Sequence, residues 1–227
     1  MKKGLASLLI LILIFSCGDR LFAVTEESFR EEIVFFGDST TAHLAVRGGI
    51  PREQVWSGQT GTVLFETVNT ARCVYIRREN RSYTVAEAAA RFHPAILVVT
   101  VGVSGGAGRL PRAAFVAIYR ELITSIRQAS PETRLYVQSI LPLSDRSVRH
   151  YRRLTKEAVT EANGWIEALC RELSVPYINT HPLLTDESGY LKPAYQNDEC
   201  LHLTAAAYTV VLDSVYSRIS SDLREHP

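Results

Sequence analysis

Residues 33–40 of the chain are Ile33-Val34-Phe35-Phe36-Gly37-Asp38-Ser39-Thr40. The first four, apolar and mostly β-branched or aromatic, predict a short buried strand. The sequence that follows predicts a sharp turn into a helix beginning near Thr40. A serine hydroxyl in such a turn lies at the carboxyl edge of the sheet, where α/β proteins place reactive groups and anions. Asp38 and Ser39 are also favoured helix caps, so these residues alone leave a purely structural role open.

The remaining chain alternates between predicted strands and predicted helices. Apolar segments predict strands at 54–56, 73–76, 81–83, 96–101, 135–140 and 175–179, and helical patterns occur at 62–69, 84–93, 111–126, about 146–173 and 205–223. Segment 96–101 is apolar at nearly every position, which indicates burial on both faces, as in a parallel sheet. We therefore predict one α/β domain with a mostly parallel central sheet and helices on both faces.

Length, charge and cysteine content restrict the class of protein. With 227 residues, the chain can form one α/β domain with a sizeable core. Its 25 Lys and Arg residues nearly balance its 24 Asp and Glu residues, so net charge does not suggest a nucleic-acid partner. The three cysteines after residue 17 cannot form a complete disulfide framework, and no Cys/His cluster has the spacing of a zinc site.

The N-terminus has the pattern of an export signal. Two lysines precede an apolar run over residues 5–15, which is short for a membrane span but typical of a signal peptide. The run ends in Leu-Ile-Phe-Ser-Cys-Gly at 13–18, which resembles a bacterial lipobox with Cys17 as the lipidated residue. Cleavage near Ala23 and an uncleaved anchor are the alternatives.

These signals divide the chain into three parts. We predict a leader at residues 1–23, a short polar tether at 24–32 and a single domain at 33–227. The protein is then exported and extracytoplasmic, with the domain held close to the membrane by the lipid on Cys17 or by the signal anchor.

A nucleophilic serine needs a base to take its proton and an acid to orient that base. Of the six histidines, His202 follows the last predicted strand, at the sheet edge where Ser39 is expected. Glu199 and Asp198 precede it by three and four residues, so either acid can share a turn with it. His43 and His181 are weaker candidates, since no orienting acid is evident for either. A locally packed role for His202 stays open.

Hydrogen-bond donors are also required for the negative oxygen of a tetrahedral intermediate. The Ser39 amide is one candidate. Gly58 follows the second predicted strand, and its lack of a side chain lets its amide approach a substrate closely. Ser104, in the glycine-rich loop 102–106, offers a hydroxyl at the position where a third donor is needed.

The order and spacing of these residues resemble the SGNH (GDSL-type) hydrolases, in their bacterial esterase branch. The resembling blocks are Gly37-Asp38-Ser39, Ser57-Gly58-Gln59-Thr60, Gly102-Val103-Ser104-Gly105 and Glu199-Cys200-Leu201-His202. The resemblance implies a flavodoxin-like three-layer α/β/α sandwich. It also implies Ser39 as nucleophile, His202 as base, and an oxyanion hole formed by Ser39, Gly58 and Ser104, without a metal or organic cofactor.

Two positions depart from the family pattern. Ser104 stands where the family has an asparagine, and the loss of one oxyanion donor typically costs about 2.7–4 kcal/mol of transition-state stabilisation. Glu199 stands at the family's aspartate position, with Asp198 beside it. The three-residue spacing to His202 favours Glu199 as the orienting acid, with Asp198 as the alternative.

We predict a serine esterase that removes acetyl or other short acyl groups from an envelope or extracellular carbohydrate. The alternative is a weak or inactive surface lipoprotein that retains the cleft to bind a glycan or lipid, which the two departures favour. A phosphate-binding turn at residues 37–41 is disfavoured because the Gly-rich Lys-Ser/Thr signature is missing.

Overall fold

The computed structural model describes residues 26–198 and 201–225. In chain order, its strands are β1 (Ile33–Gly37), β2 (Val55–Trp56), β3 (Val74–Ile76), β4 (Arg81–Tyr83), β5 (Ile96–Thr100), β6 (Arg134–Gln138) and β7 (Tyr177–Ile178). Five of them form a parallel sheet in the order β2-β1-β5-β6-β7, while β3 and β4 form an antiparallel hairpin. Counted within the large sheet, this is the 2-1-3-4-5 order of flavodoxin-like folds, which confirms the predicted fold class.

Helices cover both faces of the sheet. They are α1 (Glu26–Glu31), α2 (Ser39–Ala42), α3 (Leu44–Arg47), α4 (Val85–Phe92), α5 (Arg112–Ala129), α6 (Lys156–Leu173), α7 (His181–Leu184) and α8 (Ala205–Glu225). None of the helices within the described residues is both long and apolar enough to span a membrane.

The core has two layers, because successive side chains along each strand point to opposite faces of the sheet. In β1, Phe36 packs with residues of α4, α5 and α6, whereas Ile33 and Phe35 pack with residues of α1 and α8. All three side chains are almost completely buried. Because successive residues of a strand point to opposite faces, covering both faces requires a nearly continuous apolar sequence.

The reversal of strand order places a crevice at one end of the sheet. The chain leaves β1 to form β2 on one side and later returns to form β5 on the other. At such a switch point, the loops after the two strands separate and leave room for a ligand. Ser39 follows β1, and the loop containing Ser104 follows β5.

Two predicted helices differ from the structure. Segment 62–69 contains only a 3-10 turn at Phe65–Thr67, because the buried Phe65 donates its amide to the Ser104 carbonyl at 2.8 Å. The helix predicted from about residue 146 begins at Lys156, where the Thr155 hydroxyl accepts from the Ala158 amide at 3.1 Å.

The described part of the predicted tether belongs to the domain. Residues 26–31 form α1, and Phe29 is buried against Tyr216 of α8 with ring centroids 6.2 Å apart. The predicted leader, including Cys17, lies outside the described residues. Within the described part of the chain, Cys73 and Cys170 are buried and form no disulfide, and Cys200 again lies outside it.

Candidate active site

The turn after β1 is held in a close backbone contact that only glycine permits. A Cβ on Gly37 would lie 2.1 Å from Thr41 Oγ1 and 2.3 Å from the Thr100 carbonyl oxygen. Any side chain at this position would therefore push β1 away from β5 or from α2. The glycine keeps the nucleophile turn tight against the end of β5.

Asp38 is the N-cap of α2, so it fills the structural role that the sequence left open for Asp38 and Ser39. Its Oδ1 accepts from the Thr40 amide at 3.2 Å and from the Thr40 hydroxyl at 2.9 Å. The Ser104 backbone amide donates to the same carboxyl group and joins this turn to the loop after β5. Because Asp38 is the cap, the Ser39 hydroxyl is not needed for that purpose.

The Ser39 hydroxyl contacts the histidine that the sequence indicated. His202 Nε2 lies 3.1 Å from Ser39 Oγ, although 163 residues separate the two in the chain. On the other side of the ring, His202 Nδ1 is hydrogen-bonded to Asp198 Oδ2. A hydroxyl, an imidazole and a carboxylate in this order can pass a proton from the serine to the histidine.

Asp198 is positioned by the loop that carries His202. Its Oδ1 accepts from the backbone amides of Leu201 at 3.0 Å and His202 at 3.2 Å, which leaves Oδ2 to accept from the imidazole. Glu199, the acid favoured by spacing, lies outside the described residues. In the described part of the chain, the partner of His202 Nδ1 is thus Asp198, the alternative acid. Asp198 reaches the imidazole from four residues earlier because its carboxylate also accepts from two backbone amides of the same turn.

Neighbouring contacts keep this loop in place. The Asn197 amide donates to the His202 carbonyl, and Gln196 forms a β-bridge with the fully buried Leu203. The Tyr208 hydroxyl in α8 donates to the Thr40 carbonyl at 2.7 Å. The helix that follows the His202 loop is therefore hydrogen-bonded directly to α2, the helix that begins at Ser39.

The ring of a second histidine, His43, lies against that of His202 at an interplanar angle of 47°. The rings of His43 and His202 have centroids 4.2 Å apart, and Arg47 Nη1 donates to His43 Nδ1 at 2.9 Å. Partial burial, followed by the charges of His202 and Arg47, lowers the pKa of His43. Both causes favour a neutral His43, whose ring can pack against His202 without repelling its charged form.

Other histidines have structural partners away from Ser39. His181 Nδ1 lies 3.0 Å from the Ile140 carbonyl oxygen, and burial lowers the pKa of this imidazole. His93 Nδ1 lies 3.2 Å from Ser130 Oγ. Among the histidines in the described part of the chain, His202 is the one placed against the serine hydroxyl.

The predicted oxyanion donors all lie at the carboxyl edge of the sheet. Gly58 follows β2 in a tight turn, where a Cβ would lie 2.3 Å from the Thr62 carbonyl oxygen. Ser104 follows β5, with its amide donated to Asp38 and its carbonyl accepting from Phe65. The donor that Ser104 can offer a substrate is therefore its hydroxyl.

Burial also shifts the pKa of the Asp38 carboxyl group, which directly precedes Ser39 in the chain. Desolvation raises the pKa of Asp38 to about 6, and the hydrogen bonds from Thr40 and Ser104 only partly oppose this. Between its ordinary pKa of 3.8 and about 6, Asp38 holds a proton in the folded protein that the unfolded chain has released. The free energy of unfolding contributed by this group therefore falls as pH rises through that window.

Asp38→Asn should remove this dependence, because the amide still accepts hydrogen bonds but cannot ionise. Relative to wild type, the variant is expected to gain about 2 kcal/mol in the free energy of unfolding between pH 4.5 and 7.5. Urea unfolding at the two pH values measures the change, with the exposed Asp213→Asn as control. A stability difference from wild type that is equal at both pH values would contradict the raised pKa.

The comparisons with known proteins agree with this architecture. A family model described as the GDSL-like Lipase/Acylhydrolase family matches residues 35–210. A GDSL-like lipase from Bacteroides thetaiotaomicron superposes with a TM-score of 0.56 and 16% identity, covering 88% of this chain and 94% of that one. No curated protein sequence matches the chain significantly.

Two further solved structures share the fold at low identity. A carbohydrate esterase family 3 protein from Talaromyces cellulolyticus has a TM-score of 0.56 at 11% identity, covering 86% of this chain and 99% of that one. A carbohydrate acetylesterase from Sinorhizobium meliloti has a TM-score of 0.53 at 12% identity, covering 83% and 98%. The family match spans most of the chain, including the nucleophile turn and the His202 loop. The chain is therefore an ester hydrolase that belongs to the GDSL-like lipase/acylhydrolase family.

Proposed function

We propose that the protein is a serine esterase that removes acetyl or other short acyl groups from an envelope or extracellular carbohydrate. The observation that carries the proposal is the hydrogen-bonded series of Ser39 Oγ, His202 Nε2, His202 Nδ1 and Asp198 Oδ2. The neighbours named as carbohydrate esterases support the substrate class.

In the proposed reaction, Ser39 Oγ attacks the ester carbonyl while His202 Nε2 takes the hydroxyl proton. The resulting imidazolium is stabilised by the Asp198 carboxylate at Nδ1. His202 then gives its proton to the departing alcohol, which leaves an acyl group on Ser39. A water molecule releases the acid by the same steps, with His202 again acting first as base and then as acid.

The carbonyl oxygen of the ester becomes negatively charged in the tetrahedral intermediate. We assign three hydrogen-bond donors to it: the Ser39 amide, the Gly58 amide and the Ser104 hydroxyl. The Ser39 amide belongs to the first turn of α2, where amides have no partner within the helix. The close turn at Gly58 supports its role, because a larger residue would collide with the Thr62 carbonyl oxygen.

A panel of p-nitrophenyl esters from acetate to laurate, together with acetylated glycans, tests the proposal. We expect kcat/KM to be highest for acetate, to fall with chain length, and acetate to be released from at least one glycan. Ser39→Ala measures the background in each assay. Saturable glycan binding without acetate release by wild type would instead support the alternative of an inactive binding protein.

Removing the Ser104 hydroxyl, the third proposed oxyanion donor, tests its part in the reaction. Ser104→Ala should lower kcat by about 10²–10³-fold with little change in KM, since the hydroxyl would act mainly in the transition state. Ser104→Asn restores the amide that the family pattern has at this position and is expected to recover activity where space allows. Ser82→Ala in β4 is the control. A kcat of Ser104→Ala close to wild type would mean that backbone amides suffice.

We also propose export and lipid attachment at Cys17, on the lipobox-like sequence at residues 13–18. Residues 18–25 would separate the lipid from α1, which would keep the domain near the membrane surface. Cells expressing the full chain with a labelled fatty acid should incorporate label, and Cys17→Ala should abolish incorporation. A mature form that begins near Val24 and carries no label would show ordinary signal cleavage.

A further inference from the structure

A cavity of about 340 Å³ opens between the edge of the large sheet and the hairpin. We call it the edge cavity and define its apolar wall by residues of β1, β2, β3 and α4: Val34, Val55, Trp56, Ile76 and Phe92. Its volume lies within the range of about 300–1,000 Å³ that is usual for small-molecule sites.

The edge cavity is separate from the catalytic residues. Val34 lines the cavity near the start of β1, and Ser39 follows the end of the same strand. At about 3.3 Å per residue, the two positions are about 16 Å apart along the strand. Pro94, which precedes β5, also lines the cavity. Val34 and Pro94 therefore place part of the lining toward the amino edge of the sheet, while Trp56, in register with Phe36, extends it to the end of β2. Neither Ser39 nor His202 lines the cavity.

Part of the cavity wall is formed by two aromatic residues in contact. Trp56 is 3% exposed and contacts Phe92 with ring centroids 6.1 Å apart. Such a wall favours an apolar ligand body, because transferring apolar surface from water to this site lowers the free energy.

The rim of the cavity is positively charged. Arg52, Arg77 and Arg78 line it together with a single acidic residue, Glu53. Three guanidinium groups against one carboxylate leave an excess of positive charge beside an apolar wall.

Two contacts keep part of this charge at the rim. Arg78 lies over the Phe92 ring, with Cζ 5.0 Å from the centroid, so its guanidinium is held against the cavity wall. The adjacent Glu79 is bound by Arg91 through two hydrogen bonds of 3.0 and 3.1 Å to Oε1, and also by Tyr83. The hydrogen bonds of the Glu79 carboxylate thus go to Arg91 and Tyr83. These hydrogen bonds are the main cause of the lowered pKa of Glu79, and the charge of Arg78 contributes to it without a hydrogen bond.

We propose that the edge cavity binds an amphipathic anion, with an aliphatic chain against Trp56 and Phe92 and a carboxylate or phosphate at the arginine rim. A medium-chain fatty carboxylate has this chemistry, and so does an anionic lipid. The cavity is bounded by packed side chains, so we commit to the free carboxylate as its ligand. This inference does not depend on the proposed catalytic function.

Decanoate binding tests the inference, measured by calorimetry and, in a Trp165→Phe background that leaves Trp56 as the sole tryptophan, by fluorescence. We expect saturable binding of one decanoate per chain, and much weaker binding of decan-1-ol and butyrate, which lack the anion and the long chain. Ser39→Ala should bind decanoate as wild type does, so that loss of catalysis and loss of this site are distinguishable.

Paired variants locate the site. Arg77→Gln with Arg78→Gln should weaken decanoate binding roughly tenfold or more, because charge-assisted hydrogen bonds are removed. Arg112→Gln with Arg149→Gln makes the same charge change elsewhere and should leave the Kd unchanged. Ile76→Phe, which reduces the free volume without changing charge, should also weaken binding.

Three results would overturn the inference. Equal affinities for decanoate and decan-1-ol would mean that the arginines do not recognise an anion. Equal effects of the two arginine pairs would mean that decanoate binds through overall charge or at another place. Binding to vesicles of anionic phospholipid without any binding of decanoate would indicate a membrane-contact surface instead of a ligand cavity.

Discussion

Ser39→Ala is expected to reduce kcat on the acetyl ester by roughly 10⁴–10⁶-fold, and His202→Ala by a similar factor. In the proposed mechanism, the serine supplies the oxygen that forms the acyl-enzyme, and His202 Nε2, 3.1 Å from that oxygen, takes its proton. The two losses should not multiply in the double variant, because each residue acts only through the other. The remaining rate would reflect binding and the oxyanion donors alone.

A fluorophosphonate probe makes the assignment site-specific. Wild type should be labelled at Ser39, His202→Ala should be labelled far more slowly, and peptide mass spectrometry identifies the modified residue. His93→Gln is a suitable control, since His93 contacts Ser130 and lies away from the nucleophile turn. Labelling at another serine, or full hydrolysis without any labelling, would be incompatible with the assignment.

Asp198→Asn is expected to lower kcat by about 10⁴-fold, the loss seen when the acid of a serine triad is neutralised without a change of shape. In the structure, Asp198 accepts from His202 Nδ1 and so directs Nε2 toward Ser39. An asparagine can present its amide group to the ring, which favours the opposite tautomer. The proton would then be on the nitrogen that faces the nucleophile.

Glu199→Gln is the matched comparison, one residue away with the same loss of charge. We expect its kcat to stay within a few-fold of wild type, once circular dichroism shows that both variants are folded. A large loss in Glu199→Gln with Asp198→Asn near wild type would restore the acid that spacing favoured. If neither variant loses more than a few-fold, Ser39 and His202 work as a dyad.

The site could be predicted from sequence where chemistry and strand pattern coincide. The apolar residues of β1, the glycine turn and the serine point to one sheet edge, and His202 follows the last strand at that same edge. The choice between Asp198 and Glu199 depends on the backbone of a short loop. Asp198 accepts from two amides of that loop while also contacting the imidazole, and residue spacing alone does not indicate such a double role.

The differences in the fold arise from contacts between distant segments. Residues near Phe65 have a helical pattern, but the Phe65 amide is bonded to Ser104, almost forty positions away, and the helix does not form. The sequence indicates that His43 shares a helix face with Ser39, whereas its contact with the His202 ring depends on the packing of α3 beside the His202 loop. The local sequence pattern does not indicate these contacts between distant residues, because each contact depends on how the completed sheet brings the loops together.

The bond between Tyr208 and Thr40 has a consequence for the order of events during synthesis. The nucleophile turn is among the first parts of the domain to leave the ribosome, while its base and the tyrosine that secures its helix are among the last. A nascent chain that ends before residue 202 contains the serine and all five strands of the large sheet, yet lacks the histidine that we propose as the base for that serine. In the proposed mechanism, hydrolysis therefore begins only when the C-terminal helix has emerged and docked, and a truncated translation product would contain Ser39 without its base.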